Sequence, residues 1–254
     1  MPRARNRRAV PQSPDLTRER SRSTGGQAPV RVNLDYIVEH IPSHDGKPFF
    51  TAWIRRSYPN PPPYKPWSTL ACDNSDREYV DSTRPLLSIL FYDITPGSDN
   101  HDHLKALAES LHRETHELSE LPDRDRYIRT EVCGMPLPVG LSDKEKAAKC
   151  KAHTLAEIAS RKAGGAGPDL EITPLLDREM NLDEQIIFVI DKPREHWDEG
   201  EGGVLEVMWN RKSACSGNQL PEIEPERLTF DKLERSLSWV GQTFGYIPVQ
   251  GRQD

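Results

Sequence analysis

The sequence predicts an α/β fold, with a mixed α+β arrangement as its variant: one mixed sheet of about six strands with helices packed on it, preceded by a disordered N-terminal tail. Three observations lead there. Apolar runs at Leu86–Ile94, Gln185–Ile190 and Val204–Trp209 read as strands buried on both faces. Helical patterns near 100–118 and 142–164 alternate with the strands in the middle of the chain. Charge and apolar residues are also partitioned near residue 32.

Residues 1–31 hold eight arginines, no lysine, and only Asp15 and Glu19 as acids, a net charge of +6. The whole chain is −6, so residues 32–254 carry −12. The first 31 residues have almost no large apolar side chains, too few to offset the entropy of ordering, and are expected to be a disordered basic tail. Residues 32–254 read as a single acidic globular domain, large enough for a hydrophobic core.

Within that domain, Leu34, Tyr36 and Val38 alternate with Asp35 and Ile37 as a half-buried strand does, and Phe49–Ile54 is a second strand. Ser43-His-Asp-Gly46 lies near the middle of the connection, so the pair reads as an antiparallel hairpin. Residues 57–85 are polar and proline-rich and read as a long loop with a role of its own. After the strand at Leu86–Ile94, a helix near 100–118 carries Leu104, Leu107, Ala108, Leu111 and Leu118 on one face, with Ser98 or Asp99 as N-cap.

Tyr127–Val132 is a short strand. Ser142-x-x-Glu145 then opens a helix as a capping box, Gly164 stops it, and Ala148, Ala152, Leu155 and Ala159 mark the expected buried face. Thr173-Pro174 reads as the start of a short helical turn through Met180. A Gly- and acid-rich loop, 192–203, separates the last two strands. Thr229 caps a final helix bearing Phe230, Leu233, Leu237, Val240 and Phe244.

Composition restricts the function. An acidic domain does not suit a nucleic-acid backbone, so only the tail is expected to touch one; Arg3–Arg8 could serve as a nucleic-acid or nuclear-import patch. The four cysteines, at 72, 133, 150 and 215, include no C-x-x-C pair. No apolar run approaches a membrane span. These features point to the cytoplasm or nucleus, with no membrane partner and no assigned cofactor or metal.

The most specific short motif is Pro61-Pro62-Pro63-Tyr64. It fits P-P-x-Y and resembles the ligand of WW domains, including those of ubiquitin ligases. The resemblance covers four residues and implies a partner, not a fold. A proline run is already set in polyproline II geometry, so little entropy is lost on docking into an aromatic groove.

A second constellation is positional. In α/β sheets, ligands collect beyond the carboxyl ends of the strands. Asp93, followed by Asp99, His101, Asp102 and His103, ends one buried strand; Cys133-Gly134 ends another; Asp191 ends a third. If these strands are parallel neighbours, two chemistries follow: a metal held by His101-x-His103 and carboxylates, or a Cys133 nucleophile with His101 or His103 as base. The local signature of caspase-type cysteine proteases is absent around Cys133. His112-Arg-Glu-Thr-His116 lacks the glutamate of a metalloprotease helix, and both histidines fall beside the apolar stripe as a solvated flank would. The leading expectation is a non-enzymatic binding or adaptor-type protein offering the P-P-x-Y loop and the basic tail to partners. The alternative is a Cys/His or metal-dependent hydrolase at the strand edge.

Overall fold

Alternation explains the hairpin at the start of the domain. In β1 (Asn33–His40) and β2 (Phe49–Ser57) the strands pair antiparallel, with Tyr36 opposite Ile54 and Val38 opposite Ala52. The computed structural model of the protein describes residues 33–57, 87–117, 128–165, 170–176, 184–210, 223–235 and 237. The basic tail, the 58–86 segment with Pro61–Tyr64, Cys72, Cys215 and the Val240–Phe244 end of the last helix lie outside the described residues.

The remaining strands are β3 (Leu87–Asp93), β4 (Ile128–Gly134), β5 (Leu175–Leu176), β6 (Glu184–Ile190), β7 (Val204–Asn210) and β8 (Glu226–Leu228). They form one mixed eight-stranded sheet in the order β1-β2-β4-β3-β6-β7-β8, with β5 paired to β6. The β4–β3 and β3–β6 pairings are parallel; every other pairing is antiparallel. The three strands expected to be buried on both faces are β3, β6 and β7, which are consecutive in the sheet.

Two helices cover opposite faces. Helix α1 (His101–Glu117) packs on the side of Ile89, Phe91, Val132 and Phe188, and Leu104, Ala108 and Leu111 supply its buried face. The helical segment at 230–235 adds Leu233 to the same layer. Phe91 and Phe188 are register partners on parallel strands, and their rings stack at 5.2 Å. Helix α2 (Asp143–Ala163) lies on the side of Leu90, Tyr92, Cys133, Ile187 and Val189. Successive residues of a strand point to opposite faces, so each central strand feeds both cores.

Four local readings are corrected. Asn100, not Ser98 or Asp99, caps α1: its Oδ1 accepts the backbone N–H of Asp102 (2.9 Å) and His103 (3.2 Å). His112 is buried, with Nδ1 3.1 Å from Thr130 Oγ1 and its ring edge-on to Tyr36, so it is no solvated flank. Pro174 opens no helical turn: Ser88 N–H donates to Thr173 O (2.8 Å), and Leu175 and Leu176 continue as β5. Pro fixes φ but suits an extended edge as well as a helix start, and here burial of Leu175 decides. Residues 177–180 of that expected turn lie outside the described set.

The fourth correction matters most for function. The capping box of α2 forms as expected: Ser142 Oγ accepts from Glu145 N–H (3.3 Å), and Glu145 Oε2 accepts from Ser142 N–H (2.8 Å). Such a cap contributes about 1 kcal/mol. The buried face, however, is not Ala148, Ala152, Leu155 and Ala159, which are exposed. It is Ala147, Cys150, His153, Thr154, Glu157 and Arg161. Four of these six are polar, and their partners come from the sheet and from the β1–β2 turn.

Candidate functional site

The strand-edge constellation begins from a premise the topology meets. Because β4, β3 and β6 are parallel neighbours, Gly134, Asp93 and Ile190 end on one edge, followed by Asp191. The side chains then divide. Asp93 is buried on the α1 side, where Thr95 N–H and Oγ1 donate to its Oδ1 (2.9 and 2.7 Å) and His103 Nε2 lies 2.8 Å from Oδ2. His101, two residues earlier, stacks on His40 (4.8 Å) and meets the Phe50 ring edge-on (5.6 Å).

Cys133 points to the opposite face, among Phe49, Tyr92 and Cys150. It is fully buried, and that burial, with the nearby Asp45 charge, pushes its thiol well above the usual range. A nucleophilic cysteine needs the reverse. Both Cys133 and Cys150 are expected to react with iodoacetamide only as fast as the protein unfolds. Native-state mass spectrometry checks this, and rapid modification of Cys133 would restore it as a nucleophile. Asp191 is held by two cations, Lys146 Nζ and Arg227 Nη2, each 2.9 Å from Oδ2. Arg227 also grips both oxygens of Asp143 (2.6 and 2.5 Å), closing a surface clamp between α2 and β8. The structure therefore brings Asp93 and His103 together and separates them from Cys133 and Asp191.

A different cluster lies on the α2 face. The β1–β2 connection turns at Ser43, whose carbonyl accepts Gly46 N–H (3.1 Å), with Gly46 in the left-handed region at φ +78°. Ser43 Oγ donates to Asp45 Oδ1 (2.9 Å) and Lys47 Nζ pairs with Asp45 Oδ2, which orients the carboxylate. Beside it, the His44 ring sits 5.0 Å from the His153 ring. Glu157 Oε2 accepts both the backbone N–H of His44 (2.8 Å) and its ring Nδ1 (2.7 Å). His153 bridges Asp45 Oδ1 (Nε2, 3.2 Å) and Tyr92 Oη (Nδ1, 2.9 Å).

The cluster continues inward as a chain of charges. Arg161 Nε donates to Glu157 Oε1 (2.7 Å), and its Nη1 lies 3.5 Å from Glu131 Oε2. Arg129 Nε lies 2.6 Å from Glu131 Oε1, which also accepts from Ser88 Oγ (2.8 Å). The Arg161 guanidinium covers the Phe49 ring at 4.7 Å. Burial raises the carboxyls of Asp45 and Glu157, but hydrogen bonds outweigh it and hold both below the carboxylate range: Lys47, His153 and Ser43 act on Asp45, His44 and Arg161 on Glu157. Burial draws His153 below the ordinary histidine value, a fall that Asp45 offsets in part.

Among the described residues, His44, Asp45 and His153 are the one group of three such side chains whose donor atoms lie within 4.8 Å of one another. Among the described residues, no such group includes His101 or His103. In the sequence, Ser43–Gly46 presents itself only as a turn. The signal for the cluster is the repeat of polar residues at 153, 154, 157 and 161 of a single helix face, which is legible as buried only once Tyr92, Glu131 and His44 are known to face it.

Fold and site define a three-layer protein with a mixed sheet and a polar interface between the sheet and one helix. Comparisons with protein-family models, with characterised proteins and with solved structures find no match. Among the described residues, no helix is long and apolar enough to cross a membrane.

Proposed function

We propose that the protein is a non-enzymatic binding protein of adaptor type, which offers Pro61–Tyr64 to a WW-domain partner. One geometric observation carries the reading. β2 and β3 flank β4 in the sheet, and β2 runs antiparallel to β4 while β3 runs parallel to it. The end of β2 and the start of β3 therefore lie on one edge, about two strand spacings or ~10 Å apart across the sheet. A few extended residues would bridge that distance. The sequence between those two strand ends instead runs from 58 to 86, several times the length the connection requires, and includes P-P-x-Y. An insertion of that size at a sheet edge serves contact rather than chain closure.

The Cys/His hydrolase reading draws less support, because Cys133 faces one side of the sheet and the Asp93–His103 pair the other. The proposed setting is the cytoplasm or nucleus, with nucleic-acid contact confined to the basic tail.

The test is binding of the full chain, and of peptide 57–69, to a panel of WW domains. The expected dissociation constant for at least one domain is about 10 μM, with Tyr64→Ala weakening it at least ~10-fold. No affinity tighter than about 100 μM across the panel, or binding indifferent to Tyr64→Ala, overturns the reading.

A further inference from the structure

We propose that His44, Asp45 and His153 form a binding site for a divalent first-row transition metal ion, zinc foremost, held between the β1–β2 turn and helix α2. The donor set is two imidazoles and one carboxylate, which suits zinc and its neighbours and leaves the remaining coordination positions to water.

One placement of the hydrogens makes room for a cation. When the Thr154 hydroxyl hydrogen is directed to the Cys150 carbonyl (3.0 Å), its oxygen accepts from Tyr92 Oη at 2.9 Å. The single Tyr92 hydrogen is then used. With the hydrogens so placed, His153 Nδ1, 2.9 Å from Tyr92 Oη, is the donor in that contact. In a neutral ring this leaves Nε2 with only a lone pair, and Nε2 faces Asp45 Oδ1 at 3.2 Å. Two acceptors in contact repel unless a proton or a metal ion lies between them. The same logic holds for His44. The buried Glu157 carboxylate takes the Nδ1 hydrogen at 2.7 Å and leaves Nε2 as the ligand atom.

Each histidine is thus oriented through its other nitrogen by a buried group, Tyr92 for one and Glu157 for the other. Outer partners of this kind fix the tautomer and ring direction of metal-binding histidines. Asp45 is also oriented: Lys47 Nζ holds Oδ2 and Ser43 Oγ contacts Oδ1 (2.9 Å), which turns Oδ1 toward His153 with a lone pair for the ion. Zinc–ligand bonds of about 2.0–2.2 Å set donors roughly 3.4 Å apart, so the present 4.8 Å envelope must contract by about an ångström. His153 is fixed in the helix, so the contraction falls to His44 and Asp45 in the exposed turn.

The experiment is zinc titration of the full chain by calorimetry, paired with cobalt(II) absorption as a readout of the ligand set. One site is expected per chain, with a dissociation constant of about 1 μM or tighter. His44→Ala and Asp45→Asn should each weaken it at least 10-fold and change the cobalt spectrum, while His103→Ala leaves both unchanged. His153→Ala should abolish binding; because that ring is buried, the two turn variants carry the test if it fails to fold. Absence of saturable zinc binding below about 100 μM, unchanged affinity in both turn variants, or loss of binding in His103→Ala overturns the proposal.

Discussion

Replacing Glu131 with alanine is expected to destabilise the protein by about 3–5 kcal/mol. The carboxylate is wholly buried and lies 2.6 Å from Arg129 Nε and 3.5 Å from Arg161 Nη1, with Ser88 Oγ as a third partner at 2.8 Å. Both arginines are themselves nearly sealed, at 3% and 8% side-chain exposure. Removing one member of a buried ion network leaves the opposite charges without compensation, and that loss exceeds what the pair contributes over an apolar replacement. Urea unfolding of wild type and Glu131→Ala measures the effect. A difference below about 1 kcal/mol would mean that water reaches these guanidinium groups and that the interface is not dry.

The second large effect is steric. Gly134 ends β4 where the chain passes under the start of α1. A Cβ there would lie 1.8 Å from the Ser98 carbonyl oxygen and 2.6 Å from Leu104 Cδ1. The strand end cannot yield easily, since Gly134 N–H donates to Pro48 O (3.0 Å) and Met135 N–H to Asp93 O (2.8 Å), and Ser98 is tied into its turn by Ser98 N–H to Thr95 O (3.1 Å). Gly134→Ala is expected to cost about 3 kcal/mol, the upper range for overpacking. In a domain of this size that lowers the melting temperature by roughly 6–12 °C. Calorimetry checks it, and a wild-type melting temperature would show that the strand end and the 98–104 connection can part without loss.

These two positions also mark what could and could not be read beforehand. β3, β6 and β7 were legible because strands covered on both faces must be apolar at every position, and Leu87–Asp93, Glu184–Ile190 and Val204–Asn210 nearly are. The capping box of α2 was legible because its two residues bond to each other. Its buried face was not. Ala148, Ala152, Leu155 and Ala159 have helical spacing and the right chemistry for a core, yet small side chains bury little area. The opposite face, with His153, Thr154, Glu157 and Arg161, reads as solvated until the sheet supplies a hydroxyl, a carboxylate and a histidine turn to meet it.

The shortest strands escaped for a related reason. β5 and β8 hold two and three residues, and their pairing depends on a neighbour distant in sequence rather than on a pattern of their own. The strand-edge constellation was half legible. Strand ends converge as the parallel order requires, but alternation sends Asp93 and Cys133 to opposite faces. Nothing in the spacing of three separate strands fixes the relative parity of their last residues.

The polar docking of α2 has a consequence for shape. A helix seated on grease alone can roll about its axis at modest cost, because burial depends on area and hardly on angle. A guanidinium fork admits only a narrow range of approach. With Arg161 engaged to Glu157 and Glu131, and His153 to Tyr92, the azimuth of the helix is keyed to the strands beneath it. The loop bearing His44 and Asp45 consequently meets the same two turns of helix in every folded molecule.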